Sequence, residues 1–363
     1  MISLTVNAST EYDIHIGCGL LEKSGKYIAS LPDVRRVMVV TDDTVNGLYG
    51  SYFVDSLRSA GIDFDCFSFA PGEASKRPEM VIALLSELAR KGYTRTDLIA
   101  ALGGGVVGDI AGFTAAIYLR GIRYVGIPTT LLACVDSSVG GKTGVDLDEG
   151  KNLVGAFHNP SLVLCDPDTL LTLPAEVFSD GMAEVIKYGV ICDRELFEMP
   201  EAADRGGIKP DMNSIIARCI AAKKKYVEAD ERDRGVRRLL NFGHTAGHAI
   251  EVCSDYTMRH GHAVAAGMMT AARYAQKLGL CSTALVCRLE RMLTGYGLPT
   301  ESPYDPSRLL EAALRDKKRG GDIIDLILPR EIGNCEIFPT PIDELSVFLA
   351  ESVNRKPRAG DTP

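Results

Sequence analysis

Four of the six histidines fall within nineteen residues of one another, at positions 244, 248, 260 and 262. His244 and His248 are four residues apart in a stretch with helical periodicity, so both side chains project from one face of a helix. Neutral imidazoles with this spacing are natural ligands of a zinc-class divalent ion, and a carboxylate from elsewhere would complete a site with an open position. A chance cluster of core or surface histidines is the alternative, and both interpretations remain open at this point.

A charged pair interrupts the otherwise apolar run AEVIKYG, where Glu184 and Lys187 are three residues apart. Residues with this spacing are neighbours on a helix surface. The pair therefore indicates either a functional carboxylate beside an ammonium group or an ordinary surface salt bridge.

A glycine-rich turn, Gly103-x-Gly105-x-x-Gly108, follows a predicted strand and opens a predicted helix. In that position glycines let a pyrophosphate approach backbone N–H groups, although such turns also serve packing alone. Asp109 comes directly after the last glycine and would accept hydrogen bonds from a cofactor amide or a substrate hydroxyl. The alternative for Asp109 is an acid near a helix N-terminus, where it suits the helix dipole.

Six cations lie beside segments rich in glycine, asparagine or aspartate. Each of them alone is typical of a solvated surface charge, whereas together they suit an anionic substrate that carries a carboxylate and a phosphate. These six are Arg120, Lys142, Lys151, Lys223, Arg237 and Lys317.

Strand and helix patterns alternate in the first half of the chain. The predicted strands are 36–41, 64–69, 97–102 and 124–127, and the predicted helices are 43–60, 78–91 and 110–118. Such alternation indicates a parallel sheet with helices on both faces.

Helical periodicity dominates the second half. The predicted helices are 176–190, 211–229, 241–253, 261–278, 284–296, 307–316 and 342–353, and the predicted strands are 323–328 and 335–338. We therefore expect an α/β, Rossmann-like nucleotide-binding domain over 1–165 and a mainly α-helical metal- and substrate-binding domain over 166–353. The polar segment 354–363 is expected to be a disordered tail.

The composition is that of an ordinary globular protein, with 363 residues, 46% hydrophobic and 24% charged. A net charge of −8 argues against a nucleic-acid partner, and no basic run near an apolar helix suggests a membrane surface. Ten scattered cysteines without a CxxC pair indicate reduced thiols, and the N-terminal residues do not read as a signal peptide. We expect a cytoplasmic protein.

Several blocks of the sequence together resemble the 3-dehydroquinate synthase family, a branch of the sugar-phosphate cyclases. The blocks run in family order from about residue 70 to residue 320. They are GGGVVGDIAGF, YLRGIRYVGIPTTLLACVDSSVGGKTGV, GKNLVGAFHNP, AEVIKYG, DERDRGVRRLLNFGHTAGHAIE and HGHAVAAGM.

The resemblance implies a lyase with bound NAD and a divalent metal, zinc or cobalt. Its substrate would be a sugar phosphate, 3-deoxy-D-arabino-heptulosonate 7-phosphate, and its products 3-dehydroquinate and phosphate, in the shikimate pathway to aromatic amino acids. The implied steps are transient oxidation by NAD, β-elimination of phosphate, re-reduction, ring opening and an intramolecular aldol reaction. A dehydroquinate synthase-like fold and a homodimer are expected with it.

The resemblance also implies roles for individual residues, carried over position by position. The implied metal ligands are Glu184, His244 and His260. The implied catalytic residues are Lys142, His248, Lys187, Lys223, Arg237, Asn241 and Asp136. Substrate contacts are implied for Arg120, Lys151, Asn152, Asp233 and Lys317. The implied cofactor contacts are Asp42, Glu73, Lys76, Gly105, Val106, Asp109, Thr129, Thr130, Lys142, Lys151 and Thr172.

One position departs from the family pattern, which usually reads His-Gly-Glu where this chain has His260-Gly261-His262. His262 is open to three interpretations: a partner that supports a metal ligand, an alternative ligand, or a tolerated surface change. Asp233 stands where the family commonly has glutamate.

Two rival enzymes share parts of this pattern. Another sugar-phosphate cyclase, of the aminodehydroquinate or valiolone type, would alter the substrate-facing blocks, which are intact here. A metal-dependent polyol dehydrogenase would release NADH and has no need of clustered phosphate-binding cations. A non-catalytic NAD-binding protein would not need the metal and proton-transfer residues.

Overall fold

The computed structural model describes residues 1–206, 211–233, 235–317 and 322–353, with side chains described except at 202–206 and 315–317. The expected tail over 354–363 lies outside the described residues. Within the described ranges, no helix is both long enough and apolar enough to cross a membrane.

The chain divides into two compact units, and one of them is made of two separate segments. The first unit comprises Met1–Pro174 and Asp211–Arg232, and the second comprises Ala175–Pro210 and Asp233–Pro363. The sequence analysis placed one boundary after residue 165 and assigned 211–229 to the helical part. In the structure that helix packs in the first unit.

Eleven strands and thirteen α-helices are assigned in the described residues. The strands are β1 (Ile2–Asn7), β2 (Glu11–Ile16), β3 (Arg36–Asp42), β4 (Asp63–Phe69), β5 (Leu98–Gly103), β6 (Arg123–Pro128), β7 (Lys142–Leu147), β8 (Gly150–Phe157), β9 (Leu162–Cys165), β10 (Ile323–Glu331) and β11 (Asn334–Pro341). The helices are α1 (Ser24–Ala29), α2 (Asp43–Val45), α3 (Ser51–Ser59), α4 (Pro78–Arg90), α5 (Gly105–Ile117), α6 (Ala175–Cys192), α7 (Arg194–Gly206), α8 (Met212–Ala229), α9 (His244–Cys253), α10 (His260–Lys277), α11 (Thr283–Gly295), α12 (Pro306–Lys317) and α13 (Leu345–Leu349).

A seven-stranded sheet with the order β1-β2-β9-β6-β5-β3-β4 organises the first unit. All neighbours in it are parallel except β1 and β2, which form an antiparallel pair at one edge. The predicted parallel sheet is confirmed, and β7 with β8 forms a separate antiparallel pair.

Both faces of the sheet are covered, which explains why its central strands are continuous apolar runs. Val37 and Val39 of β3 pack in one hydrophobic cluster with α3, while Met38 and Val40 pack in the opposite cluster with α4. Successive side chains of a strand point to opposite faces, so a strand buried on both sides needs apolar residues at every position.

Helix α8 completes the first unit beside the sheet edge that the sequence analysis missed. It contacts β1, β2 and the helical turn at 133–137. The carboxylate of Glu228 accepts a hydrogen bond from the backbone of Asn7 at 2.6 Å, and Glu231 accepts one from Ser9 at 3.1 Å. The second segment is thereby held by the N-terminal hairpin.

The second unit is built around α6, whose residues 180–191 are all buried. Helix α9 starts at His244 rather than at the predicted residue 241, because 236–241 forms a short 3-10 helix and Gly243 has φ +82°. Helices α9 and α10 cross at glycines: a Cβ added at Gly267 would lie 1.9 Å from the carbonyl oxygen of Gly243 and 2.8 Å from the nitrogen of Gly247.

This crossing predicts that Gly267→Ala destabilises the protein, because backbone atoms of α9 must move away from the new methyl group. Overpacking of this kind costs about 1–3 kcal/mol. The midpoint of thermal unfolding by calorimetry should fall below that of the parent. Gly47→Ala is the matched control, because Gly47 is exposed on helical backbone with no atom within 4 Å of an added Cβ. Equal midpoints for Gly267→Ala and the parent would contradict the tight crossing.

Candidate functional site

Three side chains of the second unit form a group with the composition of a metal site. One ligand atom from each of Glu184, His244 and His260 lies within 4.8 Å of the other two. Nε2 of His260 is 3.6 Å from Oε1 of Glu184, and the rings of His244 and His260 are 5.2 Å apart between centroids. One carboxylate and two imidazoles are a donor set that zinc-class ions accept while keeping a position open. The residues present therefore fit a divalent metal.

Three helices supply this group, and two of them begin with a ligand. His244 is the first residue of α9 and His260 the first residue of α10, while Glu184 lies in the middle of the buried helix α6. The tight crossing of α9 and α10 fixes the two histidines relative to each other. The sequence showed the histidine pair, but the third ligand and the distant histidine are brought to it by helix packing.

Burial and neighbouring charges prepare the two imidazoles differently. Burial lowers the pKa of His244 well below its usual value, and the charge of Lys187 adds to the effect, so this ring stays neutral. Burial also acts to lower the pKa of His260, but Glu184 and Glu251 outweigh it and raise that pKa to about 10. Two carboxylates therefore hold the His260 ring between them.

Glu251 is a residue of this site that the sequence analysis did not single out. Its Oε2 lies 3.4 Å from Nδ1 of His260, and it is buried. A carboxylate on the second ring nitrogen fixes the tautomer of a ligating histidine, so that the other nitrogen faces the metal. The signal was available in the spacing of His244, His248 and Glu251, which share one face of a helix at steps of four and three residues.

The predicted Glu184–Lys187 pair is buried rather than on the surface. Its two side chains form an ion pair and are 0% and 2% exposed, respectively. Lys187 also lies over the ring of Tyr188, with 5.1 Å between Nζ and the centroid. The surface interpretation of this pair is wrong, because α6 is buried along its whole central part.

The other candidate residues of the second unit lie around this group. His248 is exposed, and its ring centroid is 5.3 Å from that of His244 and 6.3 Å from that of His260. Arg237 is buried in the 3-10 helix 236–241, which ends at the exposed Asn241. Asp233 precedes this helix with φ +58°. Lys317 is the last residue of α12, and its side chain lies outside the described part of the chain.

The carboxyl ends of the parallel strands gather the candidate residues of the first unit. Asp42 ends β3, the glycine turn follows β5, and Thr129 with Thr130 follows β6. These strands are neighbours in the sheet, and ligands of open α/β sheets bind beyond the carboxyl ends of the strands. Thr172 joins this edge, where its hydroxyl is 2.6 Å from that of Tyr49.

A pocket lies beside the glycine turn, inside the first unit. Gly104, Gly108, Asp109, Ser137 and Lys142 are among the residues that line it. A Cβ added at Gly108 would meet no atom within 4 Å, although this residue lies within helix α5. The missing side chain therefore leaves room at the amino end of α5, where Gly105 and Val106 begin the helix and backbone N–H groups favour a phosphate.

A buried lysine ties the cofactor and substrate candidates together. Nζ of Lys76 is 2.6 Å from Oδ2 of Asp109, 2.6 Å from Oδ1 of Asn152 and 3.9 Å from Glu73, whose carboxylate is 3.6 Å from Nζ of Lys151. Burial acts to lower the pKa of Lys76, but the negative charge of Asp109 outweighs it and the pKa is raised. Asp109 is therefore paired with a cation as well as placed near a helix N-terminus.

Asp146 holds this arrangement in place and was missed by the sequence analysis. Its carboxylate accepts a hydrogen bond from the backbone N–H of Asn152 at 2.7 Å, and its own N–H donates to the carbonyl of Lys76 at 2.8 Å. Asn152 has φ +54°, a left-handed conformation that only a few non-glycine residues adopt. The buried Asp146 thus presents the Asn152 amide to Lys76.

A second lysine of the first unit reaches a catalytic candidate from α8. Nζ of Lys223 lies 2.9 Å from Oδ1 of Asp136 and donates to the Asp136 carbonyl at 2.7 Å. Lys223 is 6% exposed, so the segment 211–232 brings a buried cation to the turn that follows β6.

Arg120 is the first-unit candidate that the structure does not bring to the others. It lies in the exposed turn beyond the carboxyl end of α5, with φ +68°, next to Leu119 with φ +50°. Helix α5 has 13 residues. At a rise of 1.5 Å per residue, Arg120 is therefore about 20 Å from the glycine turn along the helix axis.

Solved structures with the same fold support the fold expected from the sequence. A 2-deoxy-scyllo-inosose synthase complexed with carbaglucose-6-phosphate, NAD⁺ and Co²⁺ has a TM-score of 0.87 at 26% identity, over 97% of this chain and 100% of that one. A 2-epi-5-epi-valiolone synthase from Streptomyces hygroscopicus with NAD⁺ and Zn²⁺ has a TM-score of 0.86 at 28% identity, over 96% and 99%. The fold is that of the sugar-phosphate cyclases.

Sequence comparison narrows this class. Residues 66–180 match the family model described as 3-dehydroquinate synthase N-terminal, and residues 181–319 match the one described as 3-dehydroquinate synthase C-terminal. A 3-dehydroquinate synthase from Streptococcus suis is 43% identical over 353 residues, which cover 96% of this chain and 99% of the relative. The chain belongs to the 3-dehydroquinate synthase family.

The Lys76 network predicts that Asp146→Ala weakens NAD binding. Without the carboxylate, Asn152 loses the contact that keeps it left-handed, and Lys76 loses a partner beside Asp109. Hydrogen bonds to charged groups contribute about 1.5–3 kcal/mol, which corresponds to roughly a tenfold or larger rise in the Kd for NAD. Isothermal titration calorimetry measures this Kd.

Asp148→Ala is the control for that variant, because this carboxylate lies two residues further along, is 87% exposed and pairs with Arg77. Its Kd should equal that of the parent. A parental Kd for Asp146→Ala would show that Asp146 does not support the cofactor residues.

Proposed function

We propose that this chain is a 3-dehydroquinate synthase, which converts 3-deoxy-D-arabino-heptulosonate 7-phosphate into 3-dehydroquinate and phosphate. The observation that carries the proposal is the group of Glu184, His244 and His260 within 4.8 Å, in a chain of this family. Bound NAD would supply a hydride acceptor and donor, and a divalent ion at this group would supply a Lewis acid for the substrate hydroxyls.

The first unit has the features that hold NAD and the phosphate. The open side of Gly108 admits the pyrophosphate beside the start of α5, and the Lys76–Asp109 pair borders the same turn. Lys142 lines that pocket, so its ammonium group would bind the substrate phosphate and offset charge as the phosphate leaves. Asn152, held by Asp146, would donate its amide to the phosphate.

The second unit has the features that handle protons and the rest of the substrate. Glu184 and the two ligating histidines would orient the hydroxyls, with Lys187 balancing the buried carboxylate. His248 is exposed one turn beyond His244 and would carry a proton between substrate oxygens. The remaining candidates would hold the carboxylate and ring hydroxyls; they are Asp136, Lys223, Asp233, Arg237, Asn241 and Lys317.

Turnover of the heptulosonate phosphate by the purified protein tests the proposal. Inorganic phosphate and 3-dehydroquinate should appear in equal amounts, and NADH should not accumulate, because its hydride returns to the substrate within each turnover. A strong chelator should abolish turnover, and zinc or cobalt should restore it. Glu184→Gln should lose turnover and metal together.

The same assay separates the rival enzymes. Glucose 6-phosphate and a seven-carbon ketose phosphate that lacks the carboxylate should not be turned over. Turnover of either one in place of the heptulosonate would favour another sugar-phosphate cyclase. Accumulation of NADH in proportion to substrate would favour a polyol dehydrogenase, and full activity of a metal-free preparation would contradict the metal site.

We also propose a homodimer in which Arg120 serves the site of the partner chain. The support is the position of Arg120, about 20 Å along α5 from the glycine turn, although the resemblance assigns it to the substrate. Arg120→Ala and Lys142→Ala should each be nearly inactive. Mixing and reassociating the two variants should restore activity, since one site in each mixed dimer then has both side chains. No gain on mixing, or a monomeric mass in solution, would contradict this arrangement.

The cellular location that we propose is the cytoplasm, with small molecules rather than nucleic acid as partners. All ten cysteines are free thiols, and the net charge is −8. Reduced thiols are typical of the cytoplasm, and a negative protein repels a phosphate backbone. Fractionation of cells that express the chain tests the location.

A further inference from the structure

The first turn of α10, which carries His260, is capped by another helix. The residue before this helix, Arg259, makes no capping hydrogen bond with its side chain. Instead, Oδ1 of Asp180 on α6 accepts a hydrogen bond from the backbone N–H of His262 at 3.2 Å. A carboxylate that accepts from an N–H of the first turn, near the positive end of the helix dipole, stabilises that turn.

The ring of His262 strengthens the same contact. Its Nδ1 lies 3.3 Å from Oδ1 of Asp180, and the side chains of His262 and Asp180 are 20% and 11% exposed. The position that usually carries glutamate in this family thus carries a hydrogen-bond donor, opposite an aspartate.

The backbones of α6 and α10 touch at this point. A Cβ added at Gly261 would lie 2.0 Å from the backbone oxygen of Asp180 and 2.8 Å from its Oδ1. Only glycine fits there, so the carboxylate reaches the N–H of His262 without any intervening side chain.

This contact lies within one helical turn of two metal ligands. Asp180 precedes Glu184 by four residues and therefore shares its face of α6. His262 follows His260 by two residues in the first turn of α10. A shift of α10 along α6 would change the distance between the Nε2 of His260 and the carboxylate of Glu184, now 3.6 Å.

We propose that Asp180 and His262 are positioning residues for the metal, which act together as a cap between α6 and α10. The proposal deepens the proposed function, because it rests on Glu184, His244 and His260 as the metal ligands. His262 is then neither a ligand nor a tolerated surface change. It is the donor that Asp180 requires, and a glutamate at the same position would place two carboxylates against each other.

Metal affinity tests this proposal without relying on turnover. Metal-free protein is titrated with Co²⁺ against a competing chromophoric chelator, which yields the Kd, and the visible cobalt spectrum reports the ligand set. Outer partners of metal ligands typically contribute 10–100-fold in affinity, so His262→Glu should raise the Kd by about that factor. Asp180→Ala should raise it as well.

The double variant Asp180→Asn with His262→Glu is the decisive measurement. Asparagine still accepts from the backbone N–H and its amide donates to the new glutamate, so the Kd should return to within a few-fold of the parent. A parental Kd for His262→Glu overturns the proposal. So does a double variant no better than His262→Glu alone, and Asp180→Ala serves in its place if His262→Glu does not fold.

Three further measurements distinguish positioning from general stability and from failure of the metal site itself. The thermal midpoints of the metal-free variants should stay close together while their Kd values differ; Kd values that merely follow the midpoints would overturn the proposal. His15→Glu is the matched control, since His15 pairs with Ser3 at 2.8 Å in the first unit, and its Kd should be parental. Glu184→Gln should lose the metal. A parental Kd for Glu184→Gln would remove the metal site, whereas loss in Glu184→Gln with no effect of His262→Glu would remove only the cap.

Discussion

A carboxylate with no exposed surface governs the architecture of the second unit. Glu184 lies in the middle of a helix whose residues 180–191 are all buried, and it faces the ammonium group of Lys187 and the ring of His260. A buried charge without compensation costs several kcal/mol, so this helix can be embedded only with those partners in place. The same compensation leaves a carboxylate that needs little rearrangement to ligate a cation.

Close contacts between backbones translate that buried charge into a defined site. Glycines at 243, 247 and 267 let α9 and α10 cross without side chains between them, and Gly261 lets α10 approach α6. Ligating groups on three helices are held at fixed separations because the helices touch at their backbones, and packed interiors do not deform continuously. The first unit uses polar contacts instead, with Lys76, Asp146 and Asn152 fixing the loop between β7 and β8.

The sequence predicts the parts of this protein that depend on local pattern. The apolar runs of β3 and β5 and the periodicity of α10 suffice for the sheet and the helical unit. Strand β2 was missed, because its segment EYDIHI alternates polar and apolar residues and becomes a strand only through pairing at the sheet edge. The three implied metal ligands do lie together, whereas Asp146 and Asp180 could not be assigned, because their partners are set by tertiary packing. The same holds for α8, whose place in the first unit depends on partners more than 200 residues away.

The open side of Gly108 has a consequence for attempts to improve this protein. Glycine inside a helix costs about 1 kcal/mol relative to alanine. Since no atom lies within 4 Å of an added Cβ there, selection for heat resistance alone would favour alanine at this position. The methyl group would then occupy space kept for a ligand, so such a selection would enrich robust but inactive descendants. Directed evolution of this scaffold therefore needs a functional screen in every round.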